Sequence, residues 1–147
     1  MINYFDAAEK TLRSRGMLET ALDNIERRKE RIIRNSGPSG YPSSDFSKTY
    51  TSTKDVNDAL SECLELAEVA REISETREAI EEIDRVLGQL EEDDAALLRL
   101  WYVDRKSKEE VAAAMCYGST STIYDLRNKA VSRFAILYFG AGALSSV

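Results

Sequence analysis

Apolar side chains recur every three to four residues along most of this chain, the period of a helix with one buried face. Between Asn3 and Arg34, Phe5, Ala8, Leu12, Leu18, Leu22, Ile25 and Ile32 fall on one such stripe. They predict a helix of about thirty residues. A kink or short break is expected at Gly16, since glycine costs roughly 1 kcal/mol relative to alanine inside a helix. From Asp55 to Leu90 the repeat becomes seven. Leu66, Ile73, Ile80 and Leu87 lie seven apart, and Val69, Thr76, Ile83 and Leu90 each follow three residues later. Four heptads with one polar exception mark a coiled-coil seam. The intervening residues, 35–54, have no period. Nine of these twenty are Ser or Thr, and both prolines of the chain lie among them, which predicts a linker or long loop. It is long enough to reverse the chain. An antiparallel hairpin within one chain is therefore the first reading, and a seam shared between two chains the second. Tyr41, Phe46 and Tyr50 in the loop are aromatic enough to pack it against helices or to order it on a partner.

The heptads end at Leu87-Gly88-Gln89-Leu90, followed by Glu91-Glu92-Asp93-Asp94. Asp93 or Asp94 is expected to cap a new helix. That helix carries Leu97, Leu98, Leu100, Trp101 and Tyr102, with Trp101 read as core. Ser107 then precedes a short helix from Lys108 to Met115 whose inward residues are Val111, Ala112 and Met115. Glu110, three residues after Ser107, completes a capping box. Cys116-Tyr117-Gly118 reads as a turn in which Gly118 takes a positive φ. Ser119 caps a second helix that turns Ile123, Leu126, Ala130 and Val131 inward. Its other face carries Ser121, Thr122, Tyr124, Asp125, Arg127, Asn128, Lys129 and Arg133. A short helix, a turn and a capped helix with a basic polar face is the pattern of a helix-turn-helix DNA reader. Two helices packed only for their core give a similar pattern, and the density of DNA-compatible side chains favours the reader. The expected fold is all-α. Residues 1–90 form a coiled-coil-like helical hairpin and residues 91–147 a helix-turn-helix unit. The apolar stretch FAILYFGAGAL at 134–144 must be covered, with Phe134, Leu137 and Tyr138 expected to be buried against the core or a second subunit, or the stretch folded back on Trp101.

Charge changes this picture through its distribution. The net charge of −6 argues against nucleic acid, but residues 61–96 alone hold thirteen acidic and three basic side chains. From Leu97 onward there are seven basic and four acidic, so the candidate reader is itself basic and a DNA partner is allowed. The basic run ERRKERIIR, residues 26–34, suits either DNA phosphates or a helix C-terminus, and the acidic segment offers it a partner within the chain. The Glu-rich face from Glu62 to Asp84 reads as solvated.

Candidate chemistry narrows the classes further. There is no histidine, which removes the usual general base and the commonest metal ligand. Cys63 and Cys116 have no metal spacing and are expected to be reduced, packed thiols. GPSGYPSS in the loop lacks the Lys-Ser/Thr ending of a phosphate loop. No enzyme, cofactor or metal site is expected. No apolar run is long enough to span a membrane, and the N-terminus lacks a secretory core, so a cytoplasmic location is expected.

From Leu97 onward the sequence LLRLWYVDRKSKEEVAAAMCYGSTSTIYDLRNKAVSRF resembles region 4 of sigma-70-type factors. Ser107, Glu109, Glu110, Val111 and Ala112 match its first helix. Ser119, Thr122 and Ile123 match the start of its recognition helix, and Arg127, Lys129 and Ala130 the basic stretch that follows. One residue more than in sigma factors separates the helices. The ending IYDLRNKAVSRFAILYFGAGAL makes the chain more similar still to phage regulators of the ArpU and RinA type. Those join a helical hairpin to such a unit, and some are late-gene activators. The resemblance implies sequence-specific binding of double-stranded DNA in a bacterial host cell, with RNA polymerase as a second partner. It does not extend to the sigma region that opens DNA. The residues expected to face DNA are Lys106, Lys108, Ser119, Thr120, Ser121, Thr122, Tyr124, Asp125, Arg127, Asn128, Lys129 and Arg133. Arg127 and Lys129 are expected to meet guanine or phosphate, Asn128 adenine, and Tyr124 phosphate or a thymine methyl. Lys106, Lys108 and Arg133 are the phosphate anchors. A homodimer through the seam or the apolar tail is compatible with this. The rivals are a small terminase-like DNA-packaging subunit and a helical protein-interaction adaptor without DNA binding.

Overall fold

The computed structural model describes residues 2–36 and 53–145. Residues 37–52 of the linker expected at 35–54, with Tyr41, Phe46, Tyr50 and the GPSGYPSS sequence, lie outside them, and its end residues 35–36 and 53–54 are helical. The described residues are helical, with no strand among them. In chain order the helices are α1 (Tyr4–Ser36), α2 (Thr53–Gln89), α3 (Glu92–Leu98), α4 (Lys108–Ala114) and α5 (Thr120–Phe139). A π-helical segment, Arg99–Val103, extends α3, and a 3-10 turn, Ala141–Ser145, follows α5. No helix of the described residues is long and apolar enough to cross a membrane.

The chain forms two compact units, one of residues 1–19 with 79–147 and one of residues 20–78. The boundary expected at residues 90 and 91 coincides with neither. The first turns of α1 and the last three of α2 belong with the C-terminal helices, because they supply part of one buried cluster. Ala8 and Leu12 of α1, Ile83, Val86 and Leu87 of α2, Leu97 and Leu98 of α3, Val111 and Ala112 of α4, and Ile123, Val131 and Phe134 of α5 are all in it. Of the residues 134–144 expected to need cover, Phe134, Ala135 and Ala143 find it in that shared cluster, against which Trp101 also packs. Phe139 meets the Tyr4 ring at 5.4 Å, and Tyr138 stacks on Phe134. Gly140, at φ 87, ends α5, and a side chain at Gly142 would lie 2.9 Å from the Tyr4 hydroxyl. Leu137 and Leu144 stay exposed.

Within this unit Arg15 grips Asp84 with two hydrogen bonds, Nε to Oδ1 at 2.6 Å and Nη2 to Oδ2 at 2.8 Å. The bonds from Arg15 hold the Asp84 carboxyl below its ordinary range. A carboxylate depressed on folding stabilises above its unfolded pKa and loses that contribution as pH falls through the folded value. Asp84→Asn is therefore expected to be less stable than wild type at neutral pH. The difference should shrink as pH falls below about 4, which urea unfolding at a series of pH values would measure.

In the second unit Glu26 pairs with Arg77 at 3.1 Å and Arg28 pairs with Glu72, so rising numbers on α1 meet falling numbers on α2. Part of the basic run thus meets the acidic segment. Val69 and Ile73 are buried there, and Leu66 and Thr76 are half-buried. Helix α1 runs through Gly16 without the expected break. Cys63 is reduced and exposed, as is Cys116 in the other unit, rather than packed.

Candidate nucleic-acid interface

Ser107 has the extended backbone of a helix cap. Its Oγ accepts from the Glu110 N–H at 3.2 Å, and Glu110 Oε2 accepts from the Ser107 N–H at 3.1 Å. Two amides that a helix start leaves without intrahelical partners are thereby bonded. From this anchored start α4 turns Val111 and Ala112 into the core, with Met115 half-buried. Its end is closed by two backbone bonds, Tyr117 N–H to Ala112 O at 2.9 Å and Cys116 N–H to Ala113 O at 3.2 Å. This is a Schellman closure, which requires a left-handed residue immediately after the cap. That residue is Cys116, at φ 60, and not Gly118 as expected. The glycine stands two positions too late to relieve the backbone. Cys116→Gly is expected to stabilise the protein by about 1 kcal/mol, the order of the left-handed penalty for a residue with a Cβ. A thermal melt would register it as a rise of a few degrees.

Helix α5 begins after Ser119. The Ser119 hydroxyl lies 2.8 Å from that of Ser121 and makes no capping bond to a backbone amide, so Ser119 holds the cap position without the expected bond. Similarly, Glu91 and not Asp93 or Asp94 precedes α3, without a side-chain cap. Asp94 is buried and accepts from Arg133 Nη1 at 2.6 Å. That bond raises the Arg133 pKa.

On α5 the inward residues are Ile123, Ala130, Val131, Phe134 and Ala135, with Leu126 half-buried. Ser119, Ser121, Thr122, Tyr124, Asp125, Asn128, Lys129 and Arg133 are exposed, and Thr120 is half-buried. Lys106 and Lys108 are exposed beside them, and the Lys108 ammonium stands 5.7 Å from the Tyr124 ring centre. The α5 start therefore presents hydroxyls, an amide and a cation outward, with further cations near the start of α4. Such groups can meet phosphate oxygens and base edges.

Two expected cations are committed elsewhere. Arg133 pairs with Asp94, as above. Arg127, expected on the open face, keeps only 17% of its side chain exposed. Its guanidinium lies 4.9 Å from the Trp101 ring centre and 5.4 Å from that of Tyr124, and 3.6 Å from Glu9 Oε1. A planar, weakly hydrated guanidinium stacks on aromatic faces more readily than an ammonium does, which draws Arg127 off the surface. The same Glu9 oxygen accepts from Tyr102 Oη at 2.7 Å and lies 3.6 Å from Arg13. Burial and this hydrogen bond push the Tyr102 hydroxyl pKa up. Trp101, read as core, is half-buried and meets Tyr124 edge-on at 5.4 Å.

Glu9 is the residue that sequence reasoning missed. It follows buried Ala8 on α1, so its place beside the core stripe was visible, but nothing local tied it to residues 102 and 127. Comparison with protein-family models, with curated proteins and with solved structures found no match.

Proposed function

We propose that α4 and α5 are a helix-turn-helix unit that reads the major groove of double-stranded DNA. The chain on this reading is a sequence-specific transcriptional regulator, an activator of phage or prophage late genes in the bacterial cytoplasm. The observation that carries the proposal is the division of α5. Ile123, Ala130 and Val131 are fully buried, while Ser121, Thr122, Asp125, Asn128 and Lys129 stand exposed in its first half. A helix kept only for packing also has a polar outer face, and what favours the reader is the concentration of hydroxyl, amide and cationic groups on this one. The Schellman closure sets the turn out of α4, and Val111 and Ala112 share one buried cluster with Ile123, Ala130 and Val131, which holds the two helices together as a reader requires. The resemblance to sigma region 4 and to ArpU- and RinA-type regulators supports it independently, and contact with RNA polymerase rests on that resemblance alone. On the same reading α1 and α2 form a helical hairpin, for which the opposed Glu26–Arg77 and Arg28–Glu72 pairs speak. The hairpin offers a dimer contact or an acidic surface for a protein partner.

The test is selection of bound fragments from a random duplex pool, followed by affinity measurements at several salt concentrations. Wild type is expected to enrich one discrete site. A Lys106→Ala/Lys108→Ala/Lys129→Ala variant is expected to bind more weakly. Its salt dependence should be shallower by about 0.9 in log–log slope for each phosphate that is no longer neutralised. A palindromic site indicates a dimer. Salt-sensitive binding without a motif favours a packaging subunit, and absence of binding favours the adaptor.

A further inference from the structure

An arginine side chain carries donors and no acceptor, so the atom of Asn128 that faces Arg127 must be the amide oxygen. Arg127 donates to Asn128 Oδ1 twice, from Nη2 at 2.8 Å and from Nε at 3.2 Å. The guanidinium is held against Trp101 and Tyr124, with Glu9 Oε1 behind it. Glu9 is held in turn by Tyr102. The orientation of the exposed Asn128 amide is thus set from the core outward, through Tyr102, Glu9 and Arg127. Its acceptor is occupied, and the amino group Nδ2, with two donors, is what remains for a ligand.

We propose that Asn128, oriented by Arg127, selects guanine on the DNA that α5 reads. This rests on the DNA-reading proposal above and names the base edge that its face prefers. Asparagine reads adenine by accepting from N6 while donating to N7, which needs both ends of the amide. With the oxygen occupied only donation is left. Guanine offers two adjacent acceptors in the major groove, O6 and N7, whereas cytosine offers a donor and thymine one acceptor. Arg127 is a positioning residue in this scheme and touches no base.

The experiment is the same random-pool selection with the full chain, comparing wild type, Asn128→Ala, Asn128→Asp and Arg127→Met. Circular dichroism melts establish that each variant folds. The wild-type motif is expected to contain a guanine whose preference falls on the order of tenfold in Asn128→Ala. Asn128→Asp offers acceptors only, and is expected to exchange that guanine for cytosine, whose N4 donates. Arg127→Met keeps a long apolar stem beside Trp101 but frees the amide to turn, so the position is expected to move from guanine toward adenine. A purely structural arginine would weaken every site alike and leave the base unchanged. If Arg127→Met does not fold, the two variants at the exposed Asn128 decide the matter. Adenine at the position that Asn128→Ala erases overturns the inference and leaves DNA reading intact, as does a uniform loss across all sequences, which would make Asn128 a phosphate contact. Absence of any wild-type binding at low salt overturns both.

Discussion

Replacing Phe134 with alanine is expected to lower the unfolding free energy by about 3–5 kcal/mol, the range for deleting a buried phenyl ring. Phe134 is fully buried in the second half of α5, stacked on Tyr138 with ring centres 5.4 Å apart. Its neighbours in the cluster come from α1, α2, α3 and α4, so no single element can move in to fill the space. Part of the loss is the transfer of the ring and part the cavity left behind. A domain of this size is stable by only about 5–15 kcal/mol, so the variant should unfold at a far lower urea concentration. The measurement is the urea midpoint by circular dichroism, with the slope unchanged. Phe134→Leu, which keeps more of the volume, should lose much less. A shift below about 1 kcal/mol for the alanine variant would mean that the site relaxes freely, against the tight packing of protein interiors.

The second large effect concerns where the unit that holds α4 and α5 ends as a folding unit. A fragment of residues 91–147, the span that the sequence pattern marks out, is expected not to unfold cooperatively. Ala8, Leu12, Ile83, Val86 and Leu87 would all be missing from its core. Glu9, the acceptor for Tyr102 and the counter-ion of Arg127, would be missing as well. Tyr102 would then need water or a new partner for its hydroxyl, and Leu97, Leu98 and Val111 would face solvent. Heating the fragment should give a shallow, broad loss of helix, while the whole chain melts sharply. Addition of peptides 1–19 and 79–90 in trans is expected to restore little at micromolar concentration, because short isolated helices are marginal in water. A sharp fragment transition close to that of the whole chain would refute the role given to α1.

Much of the fold was legible because it rests on local patterns. The heptad positions Val69, Ile73, Ile80, Ile83 and Leu87 are buried, and the Ser107–Glu110 capping box forms as its spacing implies. The inward set of α5, Ile123, Ala130 and Val131, follows from a period of 3.6. What stayed hidden depends on meetings between distant segments or on backbone detail. Glu9 meets Tyr102 and Arg127 across most of the chain. Arg127 reads as an outward cation by its place on the helix wheel, yet the aromatic rings of Trp101 and Tyr124 draw it down. Gly118 looks like the left-handed residue, but the closing bonds of α4 fix that conformation one residue beyond its cap, where Cys116 stands. Asp94 looks like a cap by residue type and instead serves Arg133. Periodicity records which face is buried and not what the buried face touches.

The contact of Tyr4 with Phe139 bears on how the protein is made. Synthesis delivers α1 well before α5, yet Ala8, Leu12 and Phe134 share one cluster. The early apolar residues of the nascent chain must therefore wait for partners still inside the ribosome. This unit should reach its native state after synthesis of α5 and not during it, at the pace of long-range closure.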